Sequence, residues 1–210
     1  MFLIRRYSEL LIEHPVKTKS ISCGIITCLG DAITQNMIAK SSKNNSHHDN
    51  TTQQHSLVRS LKMFAYGTIV LGPILHNWFR IMEHAFPLQA TMNAQERART
   101  VVKRVVTEAF SYSPAIISTF YLVNTTVDYY MPDSKTPSYM DDFRKNGESL
   151  WQVLKFKFQK DFLATYDVSL KLWPFAQAIN YYLIPPIYRV LFVNTIALGW
   201  NAFLCKRQQQ

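Results

Sequence analysis

Four long stretches of this chain carry almost no charge. Residues 63–79 and 109–127 hold no Asp, Glu, Lys or Arg over 17 and 19 residues. Residues 20–39 hold only Asp31, and the 34 residues 172–205 hold only Arg189. A helix that crosses a bilayer needs about 20 mostly apolar residues. A soluble helix of that length places charge on its outer face every turn or so. The pattern predicts an all-α integral membrane bundle of four transmembrane helices, and it favours that reading over a soluble helical bundle.

Composition alone hides this. The mean hydropathy is −0.08 because the apolar stretches alternate with very polar connectors. The stretches are also polar inside. Asp31 and Gln35 sit in the first, Glu108 opens the third, and Gln177, Asn180 and Arg189 lie in the fourth. Such groups are costly against hydrocarbon and belong in a bundle interior or a water-filled cavity. Pro73, Pro114, Pro185 and Pro186 fall within the stretches and read as helix breaks, tolerated where neighbours re-satisfy the backbone.

The chain reads as one domain, 1–210, with spans at about 18–39, 61–85, 105–130 and 172–204. Residues 41–56 contain nothing apolar and read as a disordered loop. Residues 1–19 are basic and amphipathic without a secretory cleavage pattern. A separate interfacial helix is expected at about 148–165, where Trp151, Leu154, Phe158 and Phe162 form a stripe beside lysines. Trp151 and Trp173 read as interfacial anchors. Four spans would put both termini on one side, and the cations then divide almost evenly, so orientation does not follow.

Several motifs together resemble one family. Tyr7, Leu11, His14-Pro15, Gly30-Asp31 and Gln35 form a first block. Gly67, Gly72-Pro73, His76 and Trp78-Phe79 form a second. Trp173-Pro174, Gln177, Asn180, Pro185, Arg189 and Trp200 form the last and most specific. The chain resembles the Mpv-seventeen family, also called the peroxisomal 22-kDa membrane protein family, over nearly its whole length. It departs from the family at Glu108-Ala109, where an acid followed by glutamine is usual. The resemblance implies a four-span protein of the mitochondrial inner membrane, with the peroxisomal membrane as the alternative. It also implies a weakly selective channel or transporter for small polar metabolites. The alternative is a non-catalytic accessory subunit of a respiratory or ATP synthase complex. The chain starts where the family starts, so no cleaved presequence is expected.

Asp31 and Gln35 share a helix face. They read either as pore lining or as a structural lock, with Arg189 the natural partner of Asp31 and Glu108 its competitor. Gln177 and Asn180 read as a solute site beside an opened helix or as amides bridging helices. Gly24, Gly67, Gly72 and Cys28 read as close-packing positions. His47, His48 and His55 read as solvated, and Cys23, Cys28 and Cys205 form no zinc or redox motif. No nucleophile–base pair or carboxylate dyad stands out, so no catalysis, cofactor or metal is expected. Basic residues follow no single stripe, which argues against nucleic acid. The expected partners are the lipid bilayer, small polar solutes, and a homo-oligomer or a large inner-membrane complex.

Overall fold

The computed structural model describes residues 2–45, 56–89, 91–133, 136–184 and 189–208. The described residues are all-α, with no strand. Helix α1 is Phe2–Glu13 and α2 is Pro15–Asn45. Helix α3 runs Leu57–Ala85 through a π turn at Tyr66–Leu71. Helix α4 covers 94–130 through a π turn at Glu108–Tyr112. Helix α5 is the short Ser138–Lys145. Helix α6 covers 150–182 through a π turn at Phe158–Phe162. Helix α7 is Arg189–Gln208. Local signals set the starts. The Ser56 hydroxyl accepts the Arg59 N–H at 3.3 Å ahead of α3. Asn93 and Glu96 close a capping box at α4, their side chains each accepting the other's backbone N–H.

Contacts between rods fix their directions. Gln35 meets Ser56 while Ser20 lies against Gly72, so α2 and α3 are antiparallel. Arg104 meets Glu83 while Lys62 meets Asp128, so α3 and α4 are antiparallel. Tyr181 bonds Glu108 and Thr165 bonds Tyr121, which opposes α4 and α6. Trp173 packs on Trp200 while Lys157 reaches Arg207, which opposes α6 and α7. Among the described residues this makes five alternating rods, α2, α3, α4, α6 and α7, where four were expected.

The difference lies in the last third of the chain. The expected span 172–204 is divided between the end of α6 and all of α7. The expected separate interfacial helix at 148–165 is the first half of α6, which continues to Tyr182. With five rods, the start of α2 and the end of α7 lie at opposite ends of the bundle. Arg59, just ahead of the expected span 61–85, and Lys62, in its first turn, are inside the bundle, with side chains 2% and 8% exposed. Among the described helices, only α3 is long and apolar enough by composition to cross a membrane. The polar residues inside the other rods lower their mean hydropathy. Of the expected loop 41–56, residues 41–45 continue α2 and Ser56 is a buried cap; 46–55, with His47, His48 and His55, lie outside the described residues.

Pro73 and Pro114 do not break their helices. Each follows a π turn by one residue of normal helix. Gly72 N–H reaches back five residues to the Gly67 carbonyl, and Ser113 N–H to that of Glu108. A proline ring crowds the carbonyl four residues earlier and offers it no donor. The wider turn relieves both problems and lets the rod continue. Pro185 and Pro186 lie outside the described residues, between the end of α6 and the start of α7.

The α2–α3 crossing is close enough to need glycine. A Cβ on Gly67 would sit 2.7 Å from Gly24 Cα and 2.8 Å from the Cys23 carbonyl oxygen. A Cβ on Gly72 would sit 2.4 Å from Ser20 Cα. These obstacles are backbone atoms and cannot swing aside. Gly67→Ala is expected to destabilise the fold by about 1–3 kcal/mol, the usual range for overpacking. Chemical denaturation in detergent, followed by tryptophan fluorescence, measures it, and an unchanged midpoint would contradict the crossing.

Candidate functional site

Ionic groups close each end of the bundle, and a cavity lies between. At the end where α2 and α7 finish, the Asp31 carboxylate accepts from Arg59 Nε at 2.6 Å, Gln35 Nε2 at 2.7 Å and Ser60 Oγ at 2.9 Å. Gln35 also accepts the Ser56 N–H at 2.7 Å. Arg59 donates its second arm to the Cys205 carbonyl at 3.0 Å. Asp31 is thus paired with Arg59, not with Arg189. The carboxylate has no exposed surface and several donors, which is the condition for a buried charge to persist.

Other cations complete this end. Lys157 donates to the Arg207 carbonyl at 2.8 Å and pairs with Asp161 at 2.8 Å. Lys62 pairs with Asp128 at 3.3 Å and Asp133 at 3.0 Å, and bonds the Met131 carbonyl. The Thr34 hydroxyl lies 2.7 Å from the Ala202 carbonyl. The last carbonyls of a helix lack internal partners and carry its negative dipole end. Here Arg59 and Lys157, from two other rods, supply donors and charge to the end of α7. In α5, outside the long rods, burial pushes the Tyr139 phenol well above its usual range, with Asp161 and Asp128 adding to the rise.

At the opposite end, Arg104 bonds Glu83 Oε2 and the Phe86 carbonyl, both at 2.8 Å. Its guanidinium stacks 5.0 Å from the Tyr181 ring centre. Tyr181 donates its hydroxyl to Glu108 at 2.6 Å. Arg189 donates to the Ile184 and Tyr181 carbonyls at 3.1 and 3.2 Å, closing the end of α6.

Between these layers is a cavity of about 110 Å³. Its polar lining includes Glu108 and Ser113 from α4, Gln177 from α6, and Asn194 and Asn201 from α7. Phe79, Phe120, Trp173 and Trp200 line the rest along with smaller apolar groups. Tyr66, Leu71, Glu108, Ala109 and Tyr112 reach it from the two π turns that precede Pro73 and Pro114. Of the six polar residues expected in the interior, the cavity gathers Glu108 and Gln177. Asn180 lies beside it, donating to Gln177 Oε1 at 3.1 Å. Asp31 and Gln35 belong to the ionic layer, and Arg189 to the helix end. Trp151 is 72% exposed. Trp173 packs against Trp200 and lines the cavity, on a helix that begins at residue 150 rather than 172.

Sequence reasoning missed Arg59, Lys62, Arg104 and Lys157. The spacing of Lys157 and Asp161 was the one local signal, since residues four apart share a helix face. Arg59 pairs across 28 positions, and no periodicity reports that.

The Mpv17 / PMP22 family model matches residues 145–205, covering α6 and nearly all of α7. Protein SYM1 of Gibberella zeae is 27% identical over 201 residues, covering 96% of this chain and 94% of its own. Protein SYM1 of Candida albicans is 27% identical over 207 residues, covering 97% and 95%. Mitochondrial inner membrane protein Mpv17 of Rattus norvegicus is 26% identical over 210 residues, covering 100% and 99%. The chain is thus similar to Mpv17 / PMP22 proteins, through the family model over its last third and through these relatives over nearly its whole length. The rat, frog and mouse relatives are named mitochondrial inner membrane proteins. No solved structure matches this chain.

Removing one partner of a buried pair strands the other, at a cost of about 3–5 kcal/mol. Arg59→Met is therefore expected to lose about that much stability, and Asp31→Leu in the same chain to recover a large part of it. Denaturation midpoints of the single and double variants in detergent check this; equal midpoints for both would contradict it.

Proposed function

We propose that the protein is a membrane-embedded channel or transporter for small polar solutes, with the cavity between the two ionic layers as the solute site. One observation carries this reading: the rods expose apolar rows while charged and polar side chains are buried between them. On α2, Ile21, Ile25, Leu29, Ile33 and Met37 recur every four residues and are 39–60% exposed. Leu57, Leu61 and Ile69 on α3, and Val102, Val106, Phe110 and Leu122 on α4, are likewise exposed. Buried instead are Asp31, Arg59, Lys157, Asp161, Glu108 and Asn180. Water favours the reverse arrangement; a bilayer favours this one. All five rods are long enough for the roughly 30 Å of hydrocarbon, so the reading is of five crossings.

Within that frame Glu108 has the clearest role. It supplies a carboxylate to a cavity lined mainly by aliphatic and aromatic side chains with a few amides and hydroxyls, and Tyr181 holds it in place. Gln177 and Asn201 offer both donors and acceptors from the facing rods. A volume of about 110 Å³ has room for several waters or one small solute. The layers at either end must part for passage, and Tyr181 links Arg104 of one layer to Glu108 at the cavity wall.

Purified protein in liposomes is expected to release small polar solutes and to give single-channel currents in planar bilayers. Glu108→Gln is expected to lower the preference for cations over anions, because it removes the carboxylate from the path. Asp31→Asn is expected to change stability while leaving selectivity as in the parent. Silent bilayers and tight liposomes with folded protein would overturn the proposal.

A further inference from the structure

Three arginines gather at the end of the bundle where α3 and α6 finish and α4 and α7 begin. Arg97 and Arg104 lie two turns apart on one face of α4, with the buried Val101 between them. Arg189 is the first residue of α7. All three reach the last two residues of α6. The guanidinium carbons of Arg104 and Arg189 lie 5.0 and 5.8 Å from the centre of the Tyr181 ring. That of Arg97 lies 5.9 Å from the centre of the Tyr182 ring. Arg189 is close enough to the other two to be repelled by both.

Acids do not balance this cluster. Glu83 pairs with Arg104, attracts Arg189 from further off, and is itself 62% exposed. Glu96 is turned to the start of α4, where it accepts the Asn93 N–H. Glu108 lies on the cavity side of Tyr181 and takes its hydroxyl. Among the described residues no carboxylate pairs with Arg97 or Arg189. Donors are also left over. A guanidinium carries five N–H donors in a planar fork. Arg189 uses two on the Ile184 and Tyr181 carbonyls, and Arg97 makes no hydrogen bond among the described residues. A ring face attracts the charge of Arg97 but leaves its fork open. Arg97 and Arg189 are half-buried, so a ligand can reach both.

We infer that Arg97 and Arg189, backed by Arg104, form a binding site for a phosphate group. Guanidinium forks match the oxygens of a phosphate, and its several oxygens let more than one arginine share it. The anion supplies the charge that the cluster lacks, and Tyr181 and Tyr182 hold the arginines ready for it. Level in the bundle indicates where such a group comes from. Arg97 is in the first turn of α4, Tyr182 ends α6 and Arg189 starts α7. With the membrane placement proposed above, these rod ends lie at the height of the lipid headgroups, where basic pockets between helices hold anionic phospholipids. A phosphate-bearing solute offers the same group from the water. The site depends on neither conduction through the cavity nor its selectivity.

Two probes test it on the delipidated full-length chain in a maltoside detergent, which brings no phosphate of its own. Inorganic phosphate is titrated against the unfolding midpoint, with chloride at equal ionic strength as the reference, because a ligand of the folded state stabilises it. Phosphatidylglycerol is added in mixed micelles, and its retention is read by native mass spectrometry. At least one probe is expected to bind. Retention of the lipid without a response to free phosphate identifies a headgroup as the source; a response to free phosphate identifies a solute. Arg97→Gln is expected to weaken the binding roughly tenfold, the effect of one lost charge-assisted contact. Arg97 makes no hydrogen bond within the described fold, so this variant keeps its helical circular dichroism. Arg99→Gln removes the same charge two residues away, on the far side of α4, and is expected to leave binding as in the parent. Folded parent protein that binds neither probe, no loss in Arg97→Gln, or equal losses in Arg97→Gln and Arg99→Gln would overturn the site. Neither outcome bears on whether liposomes leak, so this inference and the proposed transport fail separately.

Discussion

The pairing of Asp31 with Arg59 organises this bundle. An aspartate or an arginine alone in so dry a place would be too costly to keep. Together, with Gln35, Ser60 and the Cys205 carbonyl, they bring α2, α3 and α7 to one point. The register of the α2–α3 crossing follows from it. Once Asp31 meets Arg59, Gly24 falls opposite Gly67 and Ser20 opposite Gly72, where the backbones nearly touch. That approach brings Tyr66 and Leu71 to the cavity wall. The ionic layer and the cavity are therefore one construction, although Asp31 does not line the cavity.

Much of this was legible in the sequence, and the failures have physical causes. Runs without charge marked α3, most of α2 and the second half of α4 as buried in something apolar. The same criterion hid α6. Asp167 and Lys171 interrupt its outer face, while Lys157 and Asp161 sit inside and neutralise one another. A count of charges cannot distinguish a charge that faces solvent from one that faces a partner. The same count passed over residues 172–205 because Arg189 is one charge in a long run, and it is there that the chain changes direction. The partner of Asp31 was misread for a related reason. Arg189 looked suitable because it was the one cation within a charge-poor stretch, but it is consumed by the carbonyls at the end of α6. Arg59 lies just ahead of the expected span 61–85, yet α3 begins at Leu57 and carries it into the interior.

The prolines illustrate a second limit. Pro73 and Pro114 are helix breakers by local chemistry, and the helices do yield, but by one wide turn rather than by stopping. Sequence gives the strain and not the manner of its relief. That relief also serves the cavity, since a π turn shifts the residues beyond it around the helix axis. The side chains on and beside these two turns, Glu108 among them, thereby face inward.

The reach from Arg59 to Cys205 spans 146 positions. Contacts so distant along a chain are late events in folding. Until α7 docks, the Arg59 arm that ends on the Cys205 carbonyl has no acceptor there, and Thr34 lacks the Ala202 carbonyl. Lys157 likewise precedes Arg207 by 50 positions. A truncated chain therefore advertises its incompleteness as uncompensated polar groups within the bundle, a signal open to quality control. Completion of the last helix silences it.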